Sequence, residues 1–143
     1  MRRAALFLGV VAGCGGPDTS FTTLTPILSV APERLDLGEV GLPVVGTGEV
    51  YLSNTGLAKL QVDAVFEGGG GVYAIEPSTF EIPPDEQATL VVTFDPTTYR
   101  TYDGRIVLTS NDADHPTVYV PVTGKGADLP YPQIAIRDAD ERL

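Results

Sequence analysis

The sequence predicts an all-β fold, a sandwich of seven or eight short antiparallel strands, and three observations lead to this prediction. Between Pro26 and Gly126 no segment has the 3.6-residue apolar period of an amphipathic helix. Apolar and polar residues alternate instead over short runs that are rich in Val, Thr and Tyr. Gly, Pro, Asn and Asp separate these runs, which recur about every ten residues. This pattern is typical of an immunoglobulin-like β-sandwich, in which alternate side chains share one buried face.

The strands of the first half carry apolar residues at every second position. They are predicted at Ile27–Val30 with Leu35–Leu37, at Gly48–Asn54 and at Leu60–Phe66. Pro32 divides the first of these into two pieces of one broken strand, because proline has no N–H to donate to a β-ladder. The run Gly68–Gly71 follows the third strand, and it predicts a flexible loop. A phosphate-binding loop is excluded there, since no Lys-Ser/Thr pair and no helix start follow the glycines.

The strands of the second half continue the same alternation. They are predicted at Val72–Ile75, Phe80–Ile82, Ala88–Phe94, Arg105–Ser110 and Thr117–Thr123. The clearest alternation places Leu90, Val92 and Phe94 on one face of a single strand. Prolines at positions 83 and 84 end the short strand before it.

The N-terminus has the order of a secretory signal peptide, predicted over residues 1–13. A basic start with Arg2 and Arg3 precedes a short apolar run, which ends at small residues and Cys14. The run is well short of the about 20 apolar residues that span a bilayer, so it is not a membrane-spanning helix. The segment Val11–Cys14 resembles the bacterial lipobox, and this resemblance implies cleavage before Cys14 and lipidation of Cys14. The alternative is an ordinary signal peptide that happens to contain a cysteine.

Residues 14–25 are predicted to be the lipidated cysteine and a tether, because Gly, Pro, Ser and Thr dominate them. Gly15 follows the cysteine where an aspartate would resemble the inner-membrane retention signal, so an outer-membrane location is favoured. The predicted location is therefore the bacterial cell envelope, after export. With Cys14 lipidated no cysteine remains for a disulfide, and we expect the domain to be held by packing alone.

The composition excludes several function classes. A net charge of −10 and a pI near 4.3 argue against nucleic acid, since phosphate binding needs clustered Lys and Arg. One His and one Cys cannot build a zinc site from several such ligands. They also leave very little for Ser-His or Cys-His catalysis. We therefore predict no enzymatic activity, no cofactor, no metal and no small-molecule substrate.

A family resemblance accompanies these patterns. Four segments carry it in order: Leu35–Val40, Leu52–Gly56, Leu90–Pro96 and, most specifically, Ser110–Gly126. Together they resemble the ASH family of abnormal-spindle and hydin proteins, in its bacterial form, the choice-of-anchor D domain. The resemblance covers residues 26–126. It implies an immunoglobulin-like sandwich without a catalytic role, acting in protein interaction or targeting, and in bacteria often repeated in surface and secreted proteins.

Three turns connect this resemblance to backbone chemistry. Residues 54–56, Asn-Thr-Gly, predict a turn with positive φ, which glycine adopts without Cβ strain. Asp85 and Arg100 stand where the family has glycine. Aspartate tolerates left-handed φ better than arginine does, so we expect the turn at Tyr99 and Arg100 to be reshaped.

Two groups of side chains are candidate sites. Asp112, Asp114 and His115 lie within four residues of a predicted hairpin loop, where close oxygens could coordinate a cation. The interpretation we favour is that they are solvated turn residues, because the frame of a calcium loop is missing. A hydrolase using Asp112 and Asp114 is disfavoured, since no nucleophile and base are readable. Six tyrosines suggest a sugar-binding platform as an alternative. The sequence contains no Trp, however, and Tyr is a common residue in strands, so both observations argue against it.

The C-terminal residues 127–143 are interpreted as a linker and the start of a second repeat. Pro132–Leu143 echoes Pro26–Leu35, since both begin with Pro, alternate apolar residues and end in Glu-Arg-Leu. An offset of about one domain is the signature of a repeat array. The alternative is a chance likeness of an acidic tail.

The sequence therefore predicts a non-enzymatic, lipid-anchored protein of the bacterial envelope that serves as an interaction or structural module. Its expected partners are the membrane, through the lipid on Cys14, and another envelope protein. The alternative is a surface carbohydrate-binding module.

Overall fold

Nine strands and one short 3-10 turn make up the part of the chain that the computed structural model describes, residues 22–129. The strands are β1 (Leu28–Ala31), β2 (Leu35–Gly41), β3 (Gly46–Asn54), β4 (Leu60–Gly68), β5 (Tyr73–Glu76), β6 (Thr79–Ile82), β7 (Gln87–Phe94), β8 (Thr101–Ser110) and β9 (Thr117–Ala127). The 3-10 turn, Gly69–Gly71, follows β4. The predicted signal peptide, Cys14, most of the tether and the repeat-like segment Pro132–Leu143 lie outside the described residues. Within residues 22–129 the structure contains no helix of the length and apolarity that a bilayer crossing requires.

The strands form two sheets that pack face to face. One sheet has four strands in the order β1-β3-β7-β5, and the other has five in the order β2-β9-β8-β4-β6. Neighbouring strands are antiparallel in both sheets, except that β2 runs parallel to β9. The two-layer, all-β architecture confirms the predicted immunoglobulin-like sandwich.

The core lies between the sheets and contains the residues that the two-residue period selects. The fully buried side chains are Val50, Leu52, Leu60, Val62, Ile82, Leu90, Val92, Phe94, Ile106, Leu108, Val120 and Val122. Every one of these except Ile82 was predicted to lie on the inward face of its own strand. Burying a side chain of this size stabilises the fold by about 1.5–3 kcal/mol relative to leaving it in water. Local alternation therefore determines which residues form the core.

The predicted strand number and the all-antiparallel pairing were wrong at the start of the domain. The pieces on either side of Pro32 are two strands, β1 and β2, that belong to different sheets. β1 pairs with β3, after which residues 32–34 carry the chain across the edge of the sandwich to β9. A break in apolar alternation shows where a strand stops, but not which sheet the next strand joins.

The three turns singled out from the sequence differ in their physical basis. Gly56 does not have a positive φ, so that prediction was wrong. Glycine is needed there because a Cβ would collide with the carbonyl oxygen of Thr25. Asp85 has φ +62°, a left-handed conformation, at a position where the family has glycine. Among the described non-glycine residues it alone has a positive φ. Arg100 therefore avoids that region, and its guanidinium lies 4.5 Å from the centre of the Tyr102 ring.

Candidate interaction surface

Asn54, the last residue of β3, is a polar side chain inside the sandwich and is only 1% exposed. Its Nδ2 donates to the carbonyl oxygens of Ala58 at 2.7 Å and Ile82 at 2.9 Å. Its Oδ1 accepts from the backbone N–H groups of Gly56 at 2.9 Å and Ile27 at 3.2 Å. One side chain thus satisfies four backbone groups from three segments, which explains an asparagine at the end of this strand.

Asp112 is also structural, and the expectation that it is a solvated turn residue was wrong. It is 2% exposed, and its Oδ2 accepts the backbone N–H of Leu28 at 2.9 Å. Its Oδ1 accepts the N–H groups of Asp114 at 2.9 Å and His115 at 3.3 Å. Burial raises the pKa of Asp112, but these N–H donors outweigh burial and hold its pKa below the usual value. The carboxylate joins the β8–β9 loop to β1.

The rest of that loop does not assemble a metal site. Asp114 and His115 are exposed, as the solvated-turn interpretation expected, and the His115 Nδ1 lies 3.4 Å from the buried Asp112 Oδ2. Among residues 22–129 no three His, Cys, Asp or Glu side chains lie close enough together to hold a metal ion. The carboxylate of Asp112 is already occupied by backbone donors, so the pair Asp112 and Asp114 does not form a hydrolytic centre either.

The aromatic residues at the opposite end of the strands pack on one another. The rings of Phe66 and Tyr73 are stacked at 4.7 Å, those of Tyr73 and Phe94 at 4.8 Å, and Phe94 meets Tyr102 edge-on at 5.8 Å. The Tyr73 hydroxyl donates to the Tyr102 carbonyl oxygen at 2.7 Å. Burial, with Asp103 and Asp36 nearby, raises the pKa of Tyr73 to about 12.

The described tyrosines do not form one sugar-binding platform. Tyr73 and Tyr102 belong to the aromatic stack, and Tyr102 is buried. Tyr51 is exposed on the four-stranded sheet, where its hydroxyl bonds Glu49, whereas Tyr119 is exposed on the five-stranded sheet. Tyr99 lies in the β7–β8 loop. Exposed rings on different faces cannot stack on one ligand.

The outer face of the five-stranded sheet carries a row of three apolar side chains, of which the outer two are exposed and the central Val107 is half-buried. Val65 of β4 lies opposite Val107 of β8, and Val107 lies opposite Tyr119 of β9. Val65 is 58% exposed and Tyr119 is 53% exposed. We call these three residues the apolar row. Such a contiguous apolar strip in the middle of a sheet is typical of an interaction surface.

Charged side chains border the apolar row. Arg105 lies two residues before Val107 in β8, and its guanidinium is 4.6 Å from the centre of the Tyr119 ring. It also forms an ion pair with Glu67 at 2.7 Å, while Asp63 and Thr109 flank the row on the other side. A bordered apolar strip is the arrangement of a binding interface, in which an apolar centre is surrounded by a polar rim.

Sequence reasoning missed the apolar row, although each member gave a signal. Val65, Val107 and Tyr119 are apolar or aromatic residues at the outward positions of strands that otherwise alternate. Singly exposed apolar residues are ordinary, so no one of them indicates a surface. The strand register brings the three together, and that register depends on non-local pairing.

A groove continues from the apolar row around the edge of the sandwich. It has a volume of about 450 Å³ and lies between β1 and the first half of β9. The residues that line it are Leu28, Ser29, Val30, Glu33, His115, Val118, Tyr119 and Val120. Tyr119 belongs to both the groove and the apolar row, so the two features form one continuous surface.

The fold and this surface describe an immunoglobulin-like domain with an exposed apolar strip on one sheet. The chain belongs to the HYDIN/CFA65/VesB-like, Ig-like domain family, whose model matches residues 26–125. This finding supports the ASH-type domain expected from the four sequence segments. A search of curated proteins found no matching relative.

Solved structures share the fold at low sequence identity. The ASH/PapD-like domain 7 of human CEP192 is 10% identical with a TM-score of 0.64, covering 74% of this chain and 89% of that one. A Porphyromonas gingivalis W83 protein of unknown function is 18% identical with a TM-score of 0.62, covering 74% and 51%. A chaperone–tip adhesion subunit complex from Acinetobacter baumannii Csu pili is 14% identical with a TM-score of 0.55, covering 70% and 52%. These similarities concern the fold alone.

Proposed function

We propose that this protein is a lipid-anchored protein of the bacterial envelope whose Ig-like domain binds another envelope protein without catalysing a reaction. The apolar row is the observation that carries the interaction role. Its outer members Val65 and Tyr119 are exposed to solvent, whereas the buried polar groups Asn54 and Asp112 are engaged with backbone partners. The available chemistry is therefore that of an interface, with an apolar strip and a charged border.

The anchor and the location complete the proposal. The lipobox-like segment Val11–Cys14 supports lipidation of Cys14, and Gly15 supports the outer membrane. Lipid chains contribute about 0.8 kcal/mol of membrane affinity per buried CH₂, so two or more chains give slow release. The likeness of Ser110–Gly126 to the choice-of-anchor D domain further supports a surface or secreted protein, and Pro132–Leu143 supports a repeat array.

Site-specific photo-crosslinking in cells tests the interaction role. A photoreactive residue replaces Val107 in the apolar row, and in a matched control it replaces Val91, a half-exposed valine on the outer face of the four-stranded sheet. We expect a discrete protein adduct from position 107 and none from position 91. Equal adducts from both positions, or none from either, would contradict the proposal. An adduct with glycan alone would favour the carbohydrate-binding alternative.

The anchor is tested by Cys14→Ser. The protein should lose its lipid and move from the membrane fraction to the soluble or precursor fraction. Thr22→Ser, a similarly small change beyond the lipobox, should leave the protein in the membrane fraction. Unchanged detergent partitioning of Cys14→Ser would refute the lipid anchor and leave the crosslinking result to judge the interaction role by itself.

A further inference from the structure

The first half of β9 has one long edge beside which none of the described strands lies. β8 pairs with β9 from Thr117 to Lys125, whereas β2 pairs with β9 on the other side only from Val122 onward. No described strand lies beside residues 117–121 on that second side. An unpaired strand edge presents backbone N–H and C=O groups that can pair with another chain.

Pro121 shows which backbone groups face this edge. Proline has no N–H, so inside a paired strand its nitrogen belongs on the side without a ladder. Backbone polar groups alternate sides along a strand, and Thr117 and Tyr119 therefore direct their N–H and C=O groups to the same edge as Pro121. The edge thus offers N–H donors at Thr117 and Tyr119 and carbonyl acceptors at all three alternate residues.

A groove lies beside this edge. The groove of about 450 Å³ runs along residues 118–120 of β9, and Leu28 and Val30 of β1 form its opposite wall. β1 belongs to the other sheet, so it bounds the groove without bonding to β9. A strand laid here would continue the line of β2 and place alternate side chains against Val30, Val118 and Val120.

The charge of the domain selects the occupant. Glu33 lines the groove and Asp114 adjoins its lining residue His115, in a chain of net charge −10. A basic segment is attracted to such a surface and an acidic one is repelled. We propose that an extended peptide segment of the partner protein, with alternating apolar residues and basic flanks, binds as an added strand along residues 117–121 of β9.

This inference rests on the proposed function, because it specifies how the partner is held beside the apolar row. Added strands gain affinity from main-chain hydrogen bonds and specificity from alternate side-chain pockets. The occupant is therefore recognised by its strand pattern and charge, with Tyr119 contributing its backbone to the added ladder and its ring to the outer face.

Fluorescently labelled peptides and the mature full-length protein in detergent test the inference. The probe is Lys-Val-Thr-Val-Thr-Val-Lys, and its matched controls are two isomers, one N-methylated at the first two valines and one N-methylated at the two threonines. We expect the unmodified probe to bind. One of the two isomers should bind at least tenfold more weakly than the probe and the other should not, because only alternate amides of an added strand face β9. Equal binding of the two isomers would overturn the added strand, as would no binding of the probe.

Two further measurements complete the test. A peptide with glutamates in place of both lysines should bind at least tenfold more weakly, and equal affinity would overturn the proposed charge preference. Hydrogen exchange of the Thr117 and Tyr119 amides should be fast without peptide and slow with it. Slow exchange before the peptide is added would show that the chain already covers this edge, and would overturn the proposal.

Protein variants give a control that does not depend on the peptide chemistry. Tyr119→Pro removes the edge-facing N–H and leaves the β8 ladder intact, while Tyr119→Ala removes the ring and keeps the N–H. Tyr119→Pro should abolish binding of the peptide, whereas Tyr119→Ala should weaken it less. Equal losses of affinity in the two variants would contradict the inference. If position 107 crosslinks in cells but no peptide binds, the edge inference fails while the proposed function stands.

Discussion

The two ends of the sandwich are held by different forces. At the polar end, where β3 and β8 finish, buried Asn54 and Asp112 bond to backbone groups from other segments. At the aromatic end, where β7 finishes and β8 starts, the rings of Phe66, Tyr73, Phe94 and Tyr102 pack on one another. Side-chain hydrogen bonds require particular atoms in particular directions, whereas ring packing requires chiefly volume and shape.

The contrast extends to the glycines. At the aromatic end Gly124 and Gly104 leave room for rings, since a Cβ at Gly124 would lie 2.7 Å from Phe94 and one at Gly104 would lie 2.5 Å from Phe66. At the polar end Gly56 leaves room for the backbone of Thr25. The comparison teaches that glycines at the two ends serve different purposes, and that the polar end, where the pKa of Asp112 is lowered, should lose stability in acid.

The largest expected effect is at the aromatic end. Phe94→Ala removes a fully buried ring that contacts two other aromatic residues. The cavity and the lost transfer free energy should cost about 3–5 kcal/mol, a large part of the about 5–15 kcal/mol that stabilises a domain. Urea unfolding measures this loss. Thr93→Ala, on the adjacent and half-exposed position, is the control, and an equal loss there would mean that the register of β7 is wrong.

Asn54→Ala tests the polar end and should cost roughly 2–4 kcal/mol, because it leaves two carbonyl oxygens and two N–H groups without their partner. Asn54→Asp keeps the shape but loses the donated bonds, so it should be about as harmful. If Asn54→Asp were nearly neutral in urea unfolding, the side chain would act by volume, and the proposed difference between the two ends would disappear.

Asp112→Asn tests the pH dependence. The folded-state pKa of Asp112 is lowered, so its stabilising effect is complete above the unfolded-state pKa, about 3.9, and is lost as the pH falls through the folded-state pKa. At pH 7 Asp112→Asn should be about 2 kcal/mol less stable than wild type, the usual range for a hydrogen bond to a charged group. This difference should shrink below pH 4. A difference that is constant from pH 7 to pH 3 would show that the charge is irrelevant.

The smallest expected effect is at Asp85. Its φ of +62° is one that glycine adopts without strain, although glycine also makes the unfolded chain more flexible. Asp85→Gly should therefore raise stability by about 0.5 kcal/mol or less. A thermal melt of this variant beside Glu86→Gly gives the comparison, since Glu86 lacks a positive φ and should lose stability. Loss of stability in both would show that the side chain of Asp85 outweighs its backbone strain.

The sequence predicted the core well and the proposed interaction surface poorly. Leu90, Val92 and Phe94 were placed inward because side-chain direction alternates along any strand, whatever its partners. Asp112 was expected in solvent, since nothing local shows that the N–H of Leu28, 84 positions away, comes to its Oδ2. The alternation places Val65, Val107 and Tyr119 at outward positions, but it does not predict that the three residues are neighbours.

The sequence by itself determined the all-β class, the inward residues and the ends of most strands, because periodicity, proline and glycine act within a few residues. Tertiary structure decided that β1 and β2 join different sheets and that β2 runs parallel to β9. It also decided the open edge of residues 117–121 and the apolar row. Strand pairing and register come from contacts between residues far apart in the chain, so local patterns cannot specify them.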